Sequence, residues 1–298
     1  MSALHEQPLA AADGHRWRQR LHRPEAPRAA LLWLPAMGVA ARNYDPLAQA
    51  LAAGGIAVAL HEWRGIGSSS LRAHRGCDWG YRALLEDDLP PAMAALRRAF
   101  AGLPVLIGGH SLGGQFSMLY AARRPGAVDG IALVGSGTPE PSGFAGAAGL
   151  GMPFALRLIP LIAAVRGHFP GRRFRFAGNE ARGIMRDWAR SGRERRYRAQ
   201  GLDFDFDAAM GGLELPVLGL LLAEDAFAPR ASLDNLLGRA PRAATQVETL
   251  DAAALGTRAD HFAWMRQPEA VAARMLAWQR ALRSGPAADT KTAGMRRP

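Results

Sequence analysis

Short runs of apolar residues recur along the chain, and the intervals between them are long enough for helices. Each run is apolar at every position, which is typical of strands buried on both faces of a parallel sheet. The runs lie at Ala29–Leu34, Ile56–Leu60, 105–107, 131–134 and 217–222. A less regular strand is predicted at 14–23, where the alternation around Trp17 and Leu21 suits an edge position.

Helical patterns fill the intervals between these runs. Apolar residues at three- and four-residue spacings predict helices at 45–53, 79–100, 112–122 and 268–282. The helix at 45–53 follows Asn43, a candidate N-cap, and ends before a glycine pair. A Pro-Pro pair should kink or interrupt the helix at 79–100. This alternation predicts an α/β fold with a mostly parallel central sheet, flanked by helices and joined by right-handed crossovers.

One segment interrupts the alternation of strands and helices. Residues 138–212 contain glycine, proline and many arginines but no buried-strand run, so we predict a mostly helical insertion. The core would then consist of 29–137 and 213–283. Residues 1–28 form an N-terminal segment with a candidate edge strand. The tail at 284–298 is expected to be disordered because it lacks apolar periodicity.

The composition is typical of a globular protein and excludes several other classes. Of the 298 residues, 49% are hydrophobic and 21% are charged. A lone cysteine, Cys77, excludes an internally disulfide-stapled scaffold and a thiolate zinc site. The N-terminus lacks signal-peptide features, and the longest uncharged stretch, 141–156, is shorter than the roughly 20 residues that span a bilayer. We therefore expect a soluble, cytoplasmic protein.

The charge balance is strongly basic, with a formal net charge of +11. Such a balance is compatible with binding to nucleic acid or to an anionic surface. Every cation except Lys291 is arginine, which a GC-rich genome would explain. Residues 166–198 carry 11 arginines against three acids, so the basicity belongs mainly to the insertion. No nucleic-acid-binding motif is present, and weak association with anionic surfaces through the insertion remains a candidate.

A candidate nucleophile lies between a buried strand and a helix. Gly109-His110-Ser111-Leu112-Gly113 matches G-x-S-x-G, directly after the run at 105–107 and directly before the helix at 112–122. This placement is typical of a nucleophile elbow, a sharp turn that presents a serine hydroxyl above the sheet. The turn strains the serine backbone, and its close contacts require glycine on either side. Ser111 is therefore the predicted nucleophile.

Serine needs a base and the base needs an acid, because a serine hydroxyl is a weak nucleophile at neutral pH. His261 is the best-placed histidine, after the last strand signals and before the final helix. Asp225 follows the strand at 217–222, where an acid faces the crevice at the carboxyl ends of the strands. The order Ser111, Asp225, His261 suits this kind of site. Three other carboxylates remain as alternatives to Asp225, namely Glu140, Glu224 and Asp260.

Backbone amides are expected to bind the oxyanion of an acyl-transfer intermediate. One would be the amide of Leu112, which follows the nucleophile. The other would come from the loop after the strand Ala29–Leu34, and Met37 is the predicted donor.

Together these residues resemble the α/β-hydrolase fold superfamily over about 29–283. Residues 61–69 are similar to a D-x-R-G-x-G-x-S turn of that superfamily, with Glu62 in place of the aspartate. Residues 225–229 resemble its acid loop, and 260–262 resemble its histidine loop. Pro35-Ala36 stands where many members have His-Gly. The stretch at 185–188 also resembles a bacterial subgroup of predicted hydrolases.

The resemblance implies an α/β-hydrolase fold in which the insertion at 138–212 is a cap. It implies a serine hydrolase that cleaves a carboxylic ester or thioester through an acyl-enzyme, with no metal and no cofactor. Acyl transfer to another acceptor and amide hydrolysis would use the same residues and stay open, as do a basic binding protein and a catalytically silent scaffold. Apolar cap residues are candidate substrate contacts, namely Phe144, Phe154, Leu158 and Trp188.

Overall fold

The short apolar runs form neighbouring strands of one central sheet. The computed structural model describes residues 3–174 and 176–284. Its central strands are β1 (Ala3–Ala10), β2 (Arg16–Arg23), β3 (Ala29–Leu34), β4 (Ile56–Leu60), β5 (Val105–His110), β6 (Gly130–Val134), β9 (Pro216–Leu222) and β10 (Ala244–Leu250). A two-residue ribbon within the insertion consists of β7 (Phe169–Pro170) and β8 (Asn179–Glu180).

The strand order is β1-β2-β4-β3-β5-β6-β9-β10. Strands β4 to β10 of this order run parallel, whereas β1 and β2 add an antiparallel edge. The chain passes from β3 outward to β4 and then returns to β5 on the other side of β3, so the direction of winding reverses between β3 and β5. Ligands bind at such a reversal in open α/β sheets, outside the carboxyl ends of the strands. The loops after β3 and β5 therefore mark the expected site.

Helices connect the strands and cover the sheet. They are α1 (Asp45–Ala53), α2 (Leu89–Ala99), α3 (Leu112–Arg123), α4 (Gly146–Arg166), α5 (Arg182–Glu194), α6 (Phe206–Gly211), α7 (Arg230–Leu237), α8 (Ala252–Leu255) and α9 (Glu269–Ser284). Both faces of the sheet are buried. In β3, Leu32 and Leu34 belong to the hydrophobic core on one face, while Leu31 and Trp33 belong to the core on the other. Burial on both faces explains why the strand is apolar at every position.

The structure corrects several details of the sequence-based prediction. The strand predicted around Trp17 and Leu21 forms as β2, but it does not lie at the edge of the sheet. It pairs with β4 on one side and with β1 on the other, so β1 is the edge strand. Asn43 does not cap α1, whose N-cap is Tyr44 without a side-chain hydrogen bond. The helix predicted at 79–100 has a wide π-turn at Ala83–Asp88, directly before a helical segment whose first turn contains proline. Proline lacks an amide hydrogen, so a new first turn tolerates it better than a helix interior.

The segment predicted as the insertion contains α4, α5, α6 and the β7–β8 ribbon. Helix α4 runs past Arg157 to Arg166, beyond the uncharged stretch at 141–156. By length and composition it is apolar enough to cross a membrane. Only 11% of its apolar stretch is buried inside the protein, so it is not an ordinary core helix. The tail predicted at 284–298 falls outside the described residues except for Ser284, which ends α9.

We predict that Gly113→Ala destabilises the protein because the new Cβ would overlap the backbone carbonyl oxygen of Leu34. Backbone cannot move aside as a flexible side chain can, so we expect a loss of about 2–3 kcal/mol. Gly211→Ala is the matched control, since a Cβ there meets nothing within 4 Å. Urea unfolding of both variants tests this, and equal stability of the two would contradict the close contact between α3 and β3.

Candidate active site

Ser111 lies at the turn between β5 and α3, in a backbone conformation that is rare for a residue with a side chain. Its φ is 54° and its ψ is −118°, an arrangement that costs roughly 1–3 kcal/mol unless the surroundings impose it. A Cβ on Gly109 would overlap the backbone of Gly113, so the glycines predicted on either side of Ser111 are sterically required. The turn places Ser111 at the N-terminus of α3, the positive end of the helix dipole.

His261 and Asp225 form a buried pair beside this turn. The distance from His261 Nδ1 to Asp225 Oδ2 is 2.7 Å, and each residue is 5% exposed. The other oxygen, Oδ1, accepts hydrogen bonds from the amides of Phe227 and Ala228 at 2.8 and 3.0 Å. These bonds fix the carboxylate as an acceptor from Nδ1–H, which leaves Nε2 of His261 with its lone pair.

Two of the three alternative carboxylates are engaged elsewhere, and the third is exposed. Glu140 pairs with Arg239 at 2.5 Å. Asp260 accepts hydrogen bonds from the amides of Phe262 and Ala263, at 3.0 and 2.7 Å. Glu224 is exposed. Of the four candidate acids, Asp225 is therefore the one that contacts the His261 ring.

Ser111 and His261 line the same cavity. Among the described residues, no hydrogen bond joins the Ser111 hydroxyl to His261. Catalytic hydrogen bonds often tighten only when substrate is bound, so their shared cavity is compatible with His261 acting as the base for Ser111.

The two predicted oxyanion donors lie in adjacent loops. Leu34, at the end of β3, pairs with Gly109 of β5, so the loop that contains Met37 lies beside the Ser111 turn. Met37 and Leu112 both line the cavity. Within 3–174 and 176–284, neither of their backbone amides donates to another protein group. Both amides can therefore donate to a ligand.

A hydrogen-bonded link that the sequence did not reveal connects this loop to the elbow. The amide of Ala36 donates to the Tyr44 hydroxyl at 2.9 Å, and that hydroxyl lies 2.8 Å from His110 Nδ1. Burial raises the pKa of Tyr44, so the hydroxyl keeps its proton and can donate to Nδ1. Burial, with a smaller effect of His261, holds the pKa of His110 well below its ordinary value, so that ring is neutral.

The link ends beneath the His261 ring. The ring centroids of His110 and His261 are 4.5 Å apart, and Trp264 Nε1 donates to the His261 carbonyl oxygen at 3.0 Å. Tyr44 thus connects the predicted oxyanion loop to His110, whose ring contacts the ring of His261. Nothing in the sequence around Tyr44 distinguishes it from an ordinary core tyrosine, and its contact with the site becomes visible only in the folded structure.

The cavity has a volume of about 550 Å³ and is largely apolar. Beside Ser111, His261 and the two predicted oxyanion residues, most of its lining residues come from the insertion and from the loop after β9, and Ala36, Gln115 and Phe262 also line it. The residues from the insertion and that loop include Phe144, Ala148, Gly151, Met152, Ala155, Ile159, Phe176, Trp188 and Phe227. Among the described lining residues there is no aspartate, glutamate, lysine or arginine, so a neutral apolar group fits best.

The structure places two of the four predicted cap contacts in this cavity. Phe144 and Trp188 line it, whereas Phe154 and Leu158 are 75% and 54% exposed. The prediction is wrong for the latter pair because α4 turns them to its outer face. Small and medium-sized residues of α4, namely Ala148, Gly151, Met152, Ala155 and Ile159, face the cavity instead.

The insertion contacts the loop after β3, the predicted oxyanion loop, through the segment between β7 and β8. A Cβ on Gly38 would overlap the backbone of Gly178, so the two segments pack directly on each other. The neighbouring Glu180 carboxyl accepts a hydrogen bond from the Gly178 amide at 2.9 Å. Burial nevertheless raises the pKa of Glu180 to about 7.

A second set of serine, histidine and aspartate lies away from the cavity. His15 Nε2 is 2.9 Å from the Ser69 hydroxyl, and His15 Nδ1 is 3.0 Å from Asp88. Arg64 also donates to both oxygens of Asp88. Ser69 accepts from the amide of Gly65 at 3.0 Å, and it is buried. This set links the 61–69 turn to the residue before β2 and to the π-turn, and all three side chains are buried away from any substrate.

Comparisons with known proteins agree with this architecture. The model of the family described as serine aminopeptidase, S33, matches residues 25–180. Monoglyceride lipase of Homo sapiens is 29% identical over 133 residues, which are 42% of this chain and 41% of that protein's length. The match thus spans less than half of that curated relative.

Solved structures of esterases share the fold over nearly the whole chain. The esterase domain of a Rhodothermus marinus protein has a TM-score of 0.62 at 18% identity, covering 93% of this chain and 98% of that one. A thermophilic esterase from Thermogutta terrifontis has a TM-score of 0.62 at 17% identity, covering 93% and 99%. Likeness at these identities establishes the fold alone.

We predict that Tyr44→Phe lowers kcat because the Ala36 amide and His110 both lose their partner. A misplaced oxyanion loop should reduce kcat roughly 10- to 100-fold with little change in KM. Tyr81→Phe is the matched control, since the buried Tyr81 hydroxyl has no partner among the described residues. Steady-state kinetics on an activated acyl ester compares the two, and unchanged kcat in Tyr44→Phe would contradict the proposed link.

Proposed function

Because the chain belongs to the serine aminopeptidase S33 family and has the α/β-hydrolase fold, it is a hydrolase, and we propose that it cleaves carboxylic esters of apolar acyl groups through an acyl-enzyme. One observation carries this proposal. Ser111 lies in the strained turn at the N-terminus of α3 and lines an apolar cavity. His261, which is hydrogen-bonded to Asp225, lines the same cavity.

The acylation step follows from this arrangement. The Ser111 hydroxyl oxygen attacks the ester carbonyl carbon while His261 Nε2 takes the hydroxyl proton. Asp225 stabilises the resulting imidazolium through the hydrogen bond at Nδ1. The amides of Leu112 and Met37 bind the oxyanion of the tetrahedral intermediate. Collapse expels the alcohol, which receives the proton from His261, and leaves the acyl group on Ser111.

Deacylation uses the same groups in the reverse order. His261 Nε2 removes a proton from a water molecule, and the resulting hydroxide attacks the acyl carbonyl carbon. The oxyanion is bound by the same two amides, and collapse releases the carboxylic acid with the proton returned to the Ser111 oxygen. Water is the acceptor that this proposal assigns. Another acyl acceptor would enter at this step.

The lining of the cavity favours an acyl ester over an aminopeptidase substrate. An aminopeptidase must bind a charged terminal amino group, and a buried charge needs a partner of opposite sign. No carboxylate is present among the described lining residues. The arginines of the cap are also not among them, so they are not expected to bind an anionic substrate there. A thioester of an apolar acid would fit equally. The human relative, monoglyceride lipase, is named for ester hydrolysis, which also favours an ester substrate.

We predict that a fluorophosphonate probe labels the wild-type protein and does not label Ser111→Ala. The probe reacts with an activated serine, so loss of the hydroxyl removes the adduct. Hydrolysis of an octanoate ester should fall by at least about 10,000-fold in the same variant. Ser142→Ala, which removes an exposed serine of the cap segment, should keep both labelling and activity.

Gel fluorescence and a spectrophotometric ester assay provide the two readouts. Labelling that persists in Ser111→Ala would identify another nucleophile. Absence of both labelling and ester hydrolysis in the folded wild-type protein would overturn the proposed function.

We predict that Ala155→Leu shortens the acyl chain that the enzyme accepts, because Ala155 lies on the face of α4 that lines the cavity. The added side chain should lower kcat/KM for octanoate esters about 10-fold or more and leave acetate esters nearly unchanged. Ala164→Leu is the control, since it enlarges an exposed residue of the same helix. An equal loss for acetate and octanoate, or an equal effect of both substitutions, would place the acyl group elsewhere.

A further inference from the structure

Helix α4 exposes a stripe of large apolar side chains on the side opposite the cavity. The exposed fractions are 77% for Leu150, 75% for Phe154, 54% for Leu158, 59% for Leu161 and 65% for Val165. Their spacings of three and four residues align them along one face of the helix. Side chains of this size are rarely exposed together in a contiguous patch unless the patch binds something.

The stripe continues onto the segment after α4. Leu158, Leu161 and Val165 share a shallow depression with Phe174, which is 57% exposed. Arg166 and Arg173 border the same depression. We refer to the stripe and this depression together as the outer cap face, with Leu150, Phe154, Leu158, Leu161, Val165, Arg166, Arg173 and Phe174 as its residues.

The charge around the outer cap face is entirely positive along this part of the chain. Residues 141–179 contain no aspartate or glutamate. Arg157, Arg166 and Arg173 are exposed, and none of them forms an ion pair with another described residue. Arg75, from outside the cap, adds a further cation by donating to the carbonyl oxygen of Val165 at 2.5 Å. A partner that matches this face must therefore combine apolar and anionic groups.

We propose that the outer cap face docks on an anionic lipid bilayer, with α4 lying in the interface. Leucine and phenylalanine would enter the acyl region, while the arginines would reach the phosphate groups with their flexible side chains. A second copy of this chain would bring arginine against arginine, which opposes self-association through the same face. The opposite face of α4 lines the cavity and the helix packs on α5. Hence α4 is expected to lie on the membrane rather than to span it.

Vesicle flotation tests the proposal directly. Full-length protein is mixed with vesicles of phosphatidylcholine alone, or of phosphatidylcholine and phosphatidylglycerol at three to one, at low and physiological salt. We expect binding to the anionic vesicles, weaker binding to the neutral ones, and a decrease as salt rises. Because the surface does not involve the triad, Ser111→Ala should bind as the wild type does, so failure of the ester hydrolase proposal would leave this result unchanged.

Two double variants separate the apolar and electrostatic contributions. Leu150→Ser with Phe154→Ser should weaken binding to both vesicle types by at least about 10-fold. Arg166→Ser with Arg173→Ser should weaken binding to anionic vesicles by roughly 20- to 30-fold and leave binding to neutral vesicles nearly unchanged. All four residues are exposed, so the variants are expected to fold.

Matched controls remove equivalent groups from other surfaces. Leu4→Ser with Leu282→Ser removes two exposed leucines, and Arg42→Ser with Arg98→Ser removes two exposed arginines. Both controls should bind as the wild type does. Wild-type protein that does not bind anionic vesicles would overturn the proposal, and so would equal losses in variants and controls. Light scattering measures the oligomeric state of both proteins. A wild-type protein that is dimeric, with a Leu150→Ser, Phe154→Ser variant that is monomeric, would assign the face to self-association instead.

Discussion

The tight turn between β5 and α3 is the constraint on which the rest of the site depends. Ser111 can hold a positive φ only because β5 is clamped between β3 and β6 and α3 begins immediately afterwards. Gly113 packs on the Leu34 and Pro35 backbone with no room for a side chain. This contact holds the elbow close to the loop after β3, which contains the predicted oxyanion donor Met37. The position of Ser111 relative to that loop therefore follows from the packing of α3 on the end of β3.

Helix α4 separates two environments. Its inner face offers small and medium-sized side chains, which leave room for a cavity of about 550 Å³ above Ser111. Its outer face offers large apolar side chains, together with Arg157 and Arg166, which form no ion pair with another described residue. None of the described residues that line the cavity is an arginine. The many arginines of the insertion therefore belong to its surface rather than to the predicted substrate site. A helix that is apolar all round usually lies in a protein core or in lipid, and here each of its faces has a different role.

The sequence predicted what depends on local pattern and missed what depends on tertiary contact. Runs apolar at every position identified the inner parallel strands, and a motif between a strand and a helix identified Ser111. The outer strands β1 and β10 were missed because they are mixed in polarity, and β10 is mostly exposed. Tyr44 was missed because no local signal distinguishes a core tyrosine from one that links two loops. Phe154 and Leu158 were assigned to the cavity because composition does not show which way a helix faces.

The central claim is that Ser111 carries the acyl group of an ester during turnover. Intact-protein mass spectrometry, on protein mixed with an octanoate ester and quenched in acid, tests it most directly. We expect a mass increase equal to one octanoyl group in place of the hydroxyl hydrogen, mapped by proteolysis to the peptide that contains Ser111. Ester turnover with the adduct on a different residue, or with no adduct under any quench condition, would contradict the account.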